Sequence, residues 1–461
     1  MADELVSAMS QLPQRVLVAN RGEIARRIIT TVNRLGLDSI AVYAPIDAGL
    51  PFVAEASEAF ELTSDHPVRG YLDGAQIIAL ALECRADAIH PGYGFLAENA
   101  DFAQAVEDAG LTWIGPSPEV MTAMGDKIRA RSFAASVGVP ISGGGDSLET
   151  IDDALAAAAG LGYPVMVKAS GGGGGIGMAV AHDAEALEKV FASTKAMSER
   201  SFGSDRVFVE KYLARARHVE VQIVADAFGR VEALGERDCS PQRRHQKVAE
   251  ESPAPHLSDD VRSRMHASAV DLAKGIGYRS AGTVEFLLDA ETEEFVFLEM
   301  NTRIQVEHPV TELVWGTDLV EQQLAIAGSG HFTADFDPRP QGHAFELRIC
   351  AEDPVRLFPS PGSIDVWSLP SGEGVRVDSG FAAGTEVTPY FDSLVAKLCV
   401  VAADRPSALA RLREALDATE ISGGLQTNLE FLRRLVDSPA YDTGRYDTQL
   451  VTQLLSARPA R

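Results

Sequence analysis

The chain has 461 residues, of which 46% are hydrophobic and 23% charged, with a formal net charge of −25. That length allows about two to four structural units around a substantial core, and no apolar run reaches the ~20 residues a membrane-spanning helix needs. The acidic balance argues against nonspecific nucleic-acid binding, which requires clustered cations, but leaves room for a nucleotide held by a few local Lys and Arg residues.

The first residues, MADELVSAMSQLPQR, lack a basic start followed by an apolar block, so no secretory signal is read and the expected location is the cytoplasm. Arg15–Ala19 (RVLVA) reads as a strand, followed by the polar turn Asn20–Glu23, a helical pattern through Leu35 and a strand at Ser39–Tyr43. Ala86–His90 and Thr112–Ile114 read as further strands, with the helical AENADFAQAVEDAG between them. Such alternation predicts a mainly parallel sheet with helices on its faces. No GxGxxG follows the first strand, so a dinucleotide site is not predicted. A second unit is expected from near Pro140 to Tyr212, with the loop SGGGDS, an Ala-rich helix and the strand Pro164–Ala169. A third begins near Ala214 and is β-rich around His218–Ala225 and Glu294–Met300; the tail from Ala344 mixes short strands with the helical Pro406–Ala418. Cys84, Cys239, Cys350 and Cys399 are scattered with no CxxC pair, which predicts buried free thiols rather than disulfides or zinc.

Three segments carry chemistry. In the run Gly171–Gly177 only Ile176 is not glycine. Ordering such a loop costs more entropy than any other sequence would, which suits a lid presenting backbone N–H groups to phosphates. Lys168, just before it, could add a point charge; a flexible surface linker is the plainer alternative. The second segment follows the apolar Phe295–Leu298: Glu299, Asn301, Arg303, Gln305 and Glu307 are spaced two apart, so an extended chain would aim all five to one side and Met300, Thr302, Ile304 and Val306 to the other. An exposed strand face of mixed charge would give the same pattern. Continuing from an apolar strand, however, it gathers groups suited to magnesium, with Glu285 as a second carboxylate from a neighbouring strand. It also offers a guanidinium fork for a small oxyanion, and at its far end a carboxylate left free of the metal to accept a proton. The third segment, ERDCSPQRRHQKVAEE (236–251), is equally readable as a solvated loop with internal ion pairs or as a phosphate- and ribose-contacting strip.

The segments NRGEIARRI (20–28), HPGYGFLAEN (90–99), MGDK (124–127), ARHVEVQ (216–222), ERDCSPQRRHQK (236–247), FLEMNTRIQVEHPVTE (297–312) and AEDP (351–354) closely resemble the biotin carboxylase family. The resemblance runs from about Arg15 to Val451 in the family's order. It implies a mixed α/β and α+β class: an ATP-grasp fold with an N-terminal Rossmann-like parallel-sheet domain (14–125), a linker with a mobile glycine-rich lid (126–213), a catalytic core (214–340) and a β-rich C-terminal domain (341–455). The activity implied is ATP-dependent carboxylation of carrier-borne biotin by bicarbonate through carboxyphosphate, the first half-reaction of an acetyl-CoA or other acyl-CoA carboxylase.

Carried over residue by residue, the resemblance implies that Lys127, Lys168 and the lid glycines Gly172, Gly173, Gly174 and Gly175 hold the ATP phosphates. Glu210 and the backbone near Leu213 would meet the adenine, and His218, Gln242 and His245 would line the nucleotide and ribose side. Lys247 would sit near the transferred phosphoryl group. Glu285, Glu299 and Asn301 would bind magnesium or manganese. Arg303, Gln305 and Val306 would form the bicarbonate pocket, Glu307 would be the general base, Arg348 would stabilise the biotin enolate, and Tyr93 would border the bicarbonate and biotin site. Ile176 stands where this family usually has Arg or Lys and resembles the urea carboxylase branch, as does SAGTVEF (280–286), whereas His245 follows the acyl-CoA carboxylase pattern and Cys350 replaces the usual Asn. No AMKM-like biotin attachment segment is present, so the carrier protein and the carboxyltransferase are expected on separate chains or on parts of a longer protein outside this sequence, and a homodimer is expected by analogy. Two other readings compete: an ATP-grasp ligase acting on another small nucleophile, such as urea, without biotin, and a non-catalytic nucleotide-binding partner.

Overall fold

The computed structural model describes residues 12–143, 148–171, 177–333, 336 and 339–457. Five short strands, β1 (Arg15–Val18), β2 (Asp38–Tyr43), β3 (Glu58–Glu61), β4 (Ala88–His90) and β5 (Thr112–Trp113), form a parallel sheet in the order β3-β2-β1-β4-β5. The helix Gly22–Arg34 after β1 buries Ile24, Ala25, Ile28, Ile29 and Val32 on one side, with Glu23 in its first turn and Arg34 in its last, where each complements the helix dipole. The strand order reverses between β1 and β4, and ligands of open parallel sheets sit beyond the carboxyl ends at such a point. The two loops leaving those ends are tied together there: the Asn20 amide donates to the carbonyls of Pro91 at 2.7 Å and Tyr93 at 2.8 Å.

The next unit is a small antiparallel sheet of β6 (Val165–Ala169), β7 (Met178–Ala181) and β8 (Val207–Lys211), ordered β7-β6-β8. Val165, Val167, Val207 and Val209 pack under the helices Ile151–Leu161 and Ala184–Phe202. A capping box between Thr150 and Asp153 starts the first of these helices.

The remaining strands are β9 (Ala216–Ala225), β10 (Val231–Asp238), β11 (Gln242–Arg243), β12 (Gln246–Lys247), β13 (Ala249–Ser252), β14 (Ser280–Asp289), β15 (Phe295–Asn301), β16 (His343–Cys350), β17 (Gly362–Ser368), β18 (Val375–Ser379), β19 (Glu386–Val387), β20 (Leu394–Ala402) and β21 (Glu420–Gly423). Eight of them build one antiparallel sheet, β15-β14-β9-β10-β13-β16-β20-β18, which takes strands from both sides of residue 340. β11 and β12 form a hairpin, and β19-β17-β21 a small separate sheet. Alternation along β9 sends Val219, Val221 and Ile223 into a core with the helix Asp259–Ile276, and His218, Glu220 and Gln222 to the opposite face, where they too are buried. The parallel sheet and the large antiparallel sheet together give the mixed α/β and α+β class expected. Among the described residues no helix is long and apolar enough to cross a membrane.

Candidate active site

Register across the large sheet sets up the site. Glu285 on β14 is the direct partner of Glu220 on β9 and of Glu299 on β15, so three carboxylates stand in a row on one face. Like charges so placed need cations between them. The Lys247 ammonium supplies one, 2.6 Å from Glu220 and 2.9 Å from Glu285; Lys127 supplies another, 2.9 Å from Glu299. Asn301 donates to Glu285 at 2.8 Å. Two carboxylates and an amide oxygen on adjacent strands are hard oxygen donors, and the two ammonium groups mark where the row requires positive charge, so Glu285, Glu299 and Asn301 fit a magnesium ion. The ligand atoms of His218, Glu220 and Glu285 also lie within 4.8 Å of one another. That grouping suits a metal less well: burial disfavours the imidazolium, but Glu285 beside it outweighs burial and raises the His218 pKa, and a protonated ring has no lone pair to give.

The segment after β15 departs from the extended chain expected. The strand ends at Asn301, residues 302–307 are irregular, and a helix begins at His308. Asn301, Arg303, Gln305 and Glu307 still line the same cleft as Glu299, but so does Val306, which strict alternation assigned to the other side. The irregular path is pinned by its own contacts. Arg303 donates to Asn301 at 3.0 Å and to Glu98 at 2.9 Å, Gln305 donates to Glu285 at 2.8 Å, and the Val306 carbonyl accepts from Lys397 at 2.9 Å. Met300 and Ile304 are buried in apolar clusters, as alternation predicted.

Glu307 is not the free carboxylate expected. One oxygen lies 2.5 Å from Lys247 and the other 3.0 Å from Arg348. Burial would raise its pKa, but Lys247, Arg348 and Arg237 together hold it well below the usual carboxylate range. Arg348 also bonds Glu250 at 2.7 Å through Nε. Behind this group Arg237 is wholly buried, tying Glu220 to Gln305 with bonds of 2.6 and 2.8 Å.

On the other side of the cleft Glu210 is clamped between Lys168 and Arg131, the latter at 3.0 Å, and accepts from Ser142 at 2.9 Å. Met166, Val180, Leu287 and Leu298 provide apolar walls suited to a base, next to Glu210 and Leu213. The β11–β12 hairpin closes this end. Its two central residues, Arg244 and His245, have φ of 50° and 69°, a turn conformation usually left to Asn and Gly; a functional segment is where such strain is tolerated. Burial, followed by Lys168, His218 and Lys127, lowers the His245 pKa and keeps the ring neutral. Gln242 donates to the carbonyl of Cys239 at 2.8 Å and bonds His218 at 2.8 Å.

The cleft is one cavity of about 660 Å³, bordered by Lys127, Lys168, Glu210, Leu213, His218, Gln242, His245, Lys247, Glu285, Glu299, Asn301, Arg303, Gln305, Val306, Glu307 and Arg348. A second cavity, about 520 Å³, lies between the end of the parallel sheet and the C-terminal strands; Tyr93 lines it together with Phe95, Phe391 and Cys350. Gln246, Lys247, Arg303, Val306 and Arg348 border both. Tyr93 thus shares the second cavity with Lys247, Arg303, Val306 and Arg348 but not the first, and it is bonded to Glu23, which in turn lies 2.9 Å from Lys397. Gly172, Gly173, Gly174, Gly175 and Ile176 lie outside the described residues.

Sequence reasoning missed Glu220, Glu250 and Glu98, and it placed Arg237 in a phosphate- and ribose-contacting strip, whereas Arg237 lies buried behind Glu220. Glu220 was within reach, because His218, Glu220 and Gln222 alternate along ARHVEVQ just as Glu299 and Asn301 do; Glu250 and Glu98 carried no local signal.

Comparison with known proteins agrees along the chain. Three family models match: "Biotin carboxylase, N-terminal domain" over residues 12–121, "Carbamoyl-phosphate synthase L chain, ATP binding domain" over 126–333, and "Biotin carboxylase C-terminal domain" over 346–453. A biotin carboxylase of Halalkalibacterium halodurans is 46% identical over 450 residues, covering 97% of this chain and 99% of the relative. The alpha3 subunit of a biotin-dependent acyl-coenzyme A carboxylase of Mycobacterium leprae is 48% identical, covering 95% of this chain and 73% of that one. Among solved structures, the biotin carboxylase of Campylobacter jejuni in complex with a β,γ-ATP compound has a TM-score of 0.93 at 40% identity, covering 96% of this chain and 99% of that one. The biotin carboxylase domain dimer of Hydrogenobacter thermophilus 2-oxoglutarate carboxylase, bound to MgADP, ADP and bicarbonate, also reaches 0.93, at 41% identity over 97% of this chain and 99% of that one.

Proposed function

The chain belongs to the biotin carboxylase family, and from that premise we propose how its two cavities divide the work. The enzyme is an ATP-dependent ligase that carboxylates carrier-borne biotin with bicarbonate. The observation that carries the assignment of roles is the shared wall: Arg303, Val306, Lys247 and Arg348 border both a nucleotide-sized cleft and a second cavity opening between the N- and C-terminal units.

In the larger cavity ATP lies along the apolar walls with its adenine toward Glu210 and Leu213. Its ribose lies toward His218, Gln242 and His245, and its phosphates reach Lys127, Lys168 and Lys247. Magnesium, held by Glu285, Glu299 and Asn301, supplies charge neutralisation on the phosphates. Arg303, Gln305 and the Val306 backbone seat bicarbonate, and Glu307 takes its proton. The bicarbonate oxygen attacks the γ-phosphorus, ADP leaves, and carboxyphosphate forms. Its breakdown to CO₂ and phosphate leaves a base that removes the biotin ureido N–H. The ureido nitrogen then attacks CO₂ while Arg348 carries the negative charge on the ureido oxygen. Biotin enters through the second cavity, past Tyr93, and reaches CO₂ at the shared wall.

A biotin carrier and a carboxyltransferase complete the reaction, the latter passing the carboxyl group to an acyl-CoA, and the enzyme works as a homodimer. The Mycobacterium leprae relative supports the acyl-CoA acceptor, and the Hydrogenobacter thermophilus domain dimer supports the homodimer.

Arg348→Ala tests the reading. Losing a charge-assisted donor at the developing oxyanion lowers biotin carboxylation about 100- to 1,000-fold, with MgATP affinity by calorimetry held within about twofold. Carboxylation at the unaltered rate removes Arg348 from the mechanism.

A further inference from the structure

Behind Arg348 lies a pair of acids that the mechanism does not use. Glu250 on β13 and Glu346 on β16 are direct partners across the sheet, so both side chains leave on the same face. They are 1% and 0% exposed. Glu250 gives Oε1 to Arg348, 2.7 Å from Nε and 2.6 Å from Nη2, while its Oε2 is buried with no hydrogen-bond partner among the described residues. Glu346 accepts from the Cys399 thiol at 3.4 Å through Oε2, and its Oε1 is likewise buried and unpartnered among the described residues. One proton between directly opposed carboxyls would satisfy both orphan oxygens. Two full charges in that place would repel without water to screen them.

We propose that Glu250 and Glu346 share a single proton at neutral pH and act as a positioning pair for Arg348, anchoring its guanidinium from behind while leaving it cationic toward biotin. Every strand and helix around the pair contributes to the balance. Arg348 and Lys247 face it as cations, as does Lys397 on β20, itself 2.9 Å from Glu23 and 3.7 Å from Asp378. Glu307 opposes it as an anion, and Cys399, Cys239, Tyr93 and Tyr441 face it as neutral groups. On the helix His308–Trp315, burial and then Lys397 hold His308 uncharged, and Glu312 pairs with Arg27 at 2.8 Å. Within this setting burial leads in raising both acids, Glu250 to about 7 and Glu346 well above the ordinary carboxylate range, against the pull of Arg348 on the first and Lys397 on the second. Loss of the shared proton places a second negative charge behind Arg348, draws the guanidinium back and weakens its hold on the ureido oxyanion. Biotin carboxylation therefore falls on the alkaline side.

The inference rests on the assignment of Arg348 to biotin, and the experiment separates the two. The whole chain is assayed with free biotin across the pH range, wild type against Glu346→Gln, which fixes that position in its uncharged form. The alkaline limb is expected to move upward by about one pH unit or more; superimposable limbs overturn the proposal. A second measurement needs no variant. Infrared spectra of wild-type protein labelled with ¹³C-glutamate should show a buried protonated carboxyl band at neutral pH that disappears on alkalinisation, and its absence overturns the proposal however the variant folds. If instead Arg348→Ala carboxylates normally while the band is present, the shared proton stands and the assignment of Arg348 to biotin fails.

Discussion

Arg237→Met isolates the buried charge that holds the site from below. A guanidinium has five N–H groups, and each is used. Nε donates to Glu220 at 2.6 Å, Nη1 to Gln222 at 2.7 Å and Thr311 at 2.9 Å, and Nη2 to Thr283 at 3.1 Å and Gln305 at 2.8 Å. Methionine fills much of the space but leaves Glu220, which is 0% exposed, short of one cation. Breaking a buried pair in this way destabilises by about 3–5 kcal/mol, more than the roughly 1 kcal/mol each neutral acceptor would lose. Lys247 still faces Glu220 at 2.6 Å, which places the value toward the lower end. Equilibrium unfolding in urea, followed by tryptophan fluorescence, measures it. A second substitution, Glu220→Gln, should return about 2 kcal/mol to the Met variant, because it removes the unpaired charge. A loss below about 1 kcal/mol, or a double variant no more stable than Arg237→Met, would refute the claim that charge pairing rather than packing dominates here.

Two further outcomes concern pH and the bicarbonate pocket. Burial pushes Glu251 up, but hydrogen bonds from His343 at 2.6 Å and Arg405 at 2.7 Å outweigh it and bring its pKa down to about 2. A folded value below the unfolded one of 4.5 gives stability that is complete above that pH and drains away as pH falls toward 2. The melting temperature should decline across that window, and Glu251→Gln should flatten this part of the curve while lowering the plateau. Beside Arg303, Glu98 pairs with its guanidinium at 2.9 Å through a side chain 43% exposed. So open a pair is worth at most about 1 kcal/mol. Glu98→Gln should therefore lower the bicarbonate KM by no more than about fivefold, less at high salt, and a raised KM would mean that Glu98 orients Arg303 instead of competing for it.

What could be read in the sequence divides along a physical line. Periodicity within one segment was readable: the parallel-sheet strands, the helix after β1, and β15 as far as Asn301 all follow from the repeat of apolar residues. Beyond Asn301 the repeat continues in the residue types while the backbone does not. Residues 302–307 turn, because Arg303, Gln305 and the Val306 carbonyl find partners on Glu98, Glu285 and Lys397, from remote parts of the chain. Ion pairing was unreadable for the same reason. Glu250 meets Arg348 only because β13 lies beside β16, nearly a hundred residues later, and no local pattern announces that neighbour. Thus the donor set was visible, while the fact that most of its members are already engaged with one another was not.

That engagement bears on how the proposed base works. Glu307, Glu220 and Glu285 all lean on the single ammonium of Lys247, at 2.5, 2.6 and 2.9 Å. A carboxylate so held is a poor proton acceptor, because accepting a proton forfeits the attraction that lowered its pKa. Polyphosphate carries more negative charge than any one of these acids and, in the proposed arrangement, would lie beside Lys247. Its arrival would draw the ammonium away from Glu307, and an anion at Arg348 would draw off the second cation. Each withdrawal makes Glu307 a stronger base. In that proposal base strength would be tied to occupancy of the cleft: with no nucleotide present Glu307 stays locked and bicarbonate keeps its proton, so the proposed base is armed by ATP, the substrate that deprotonated bicarbonate then attacks.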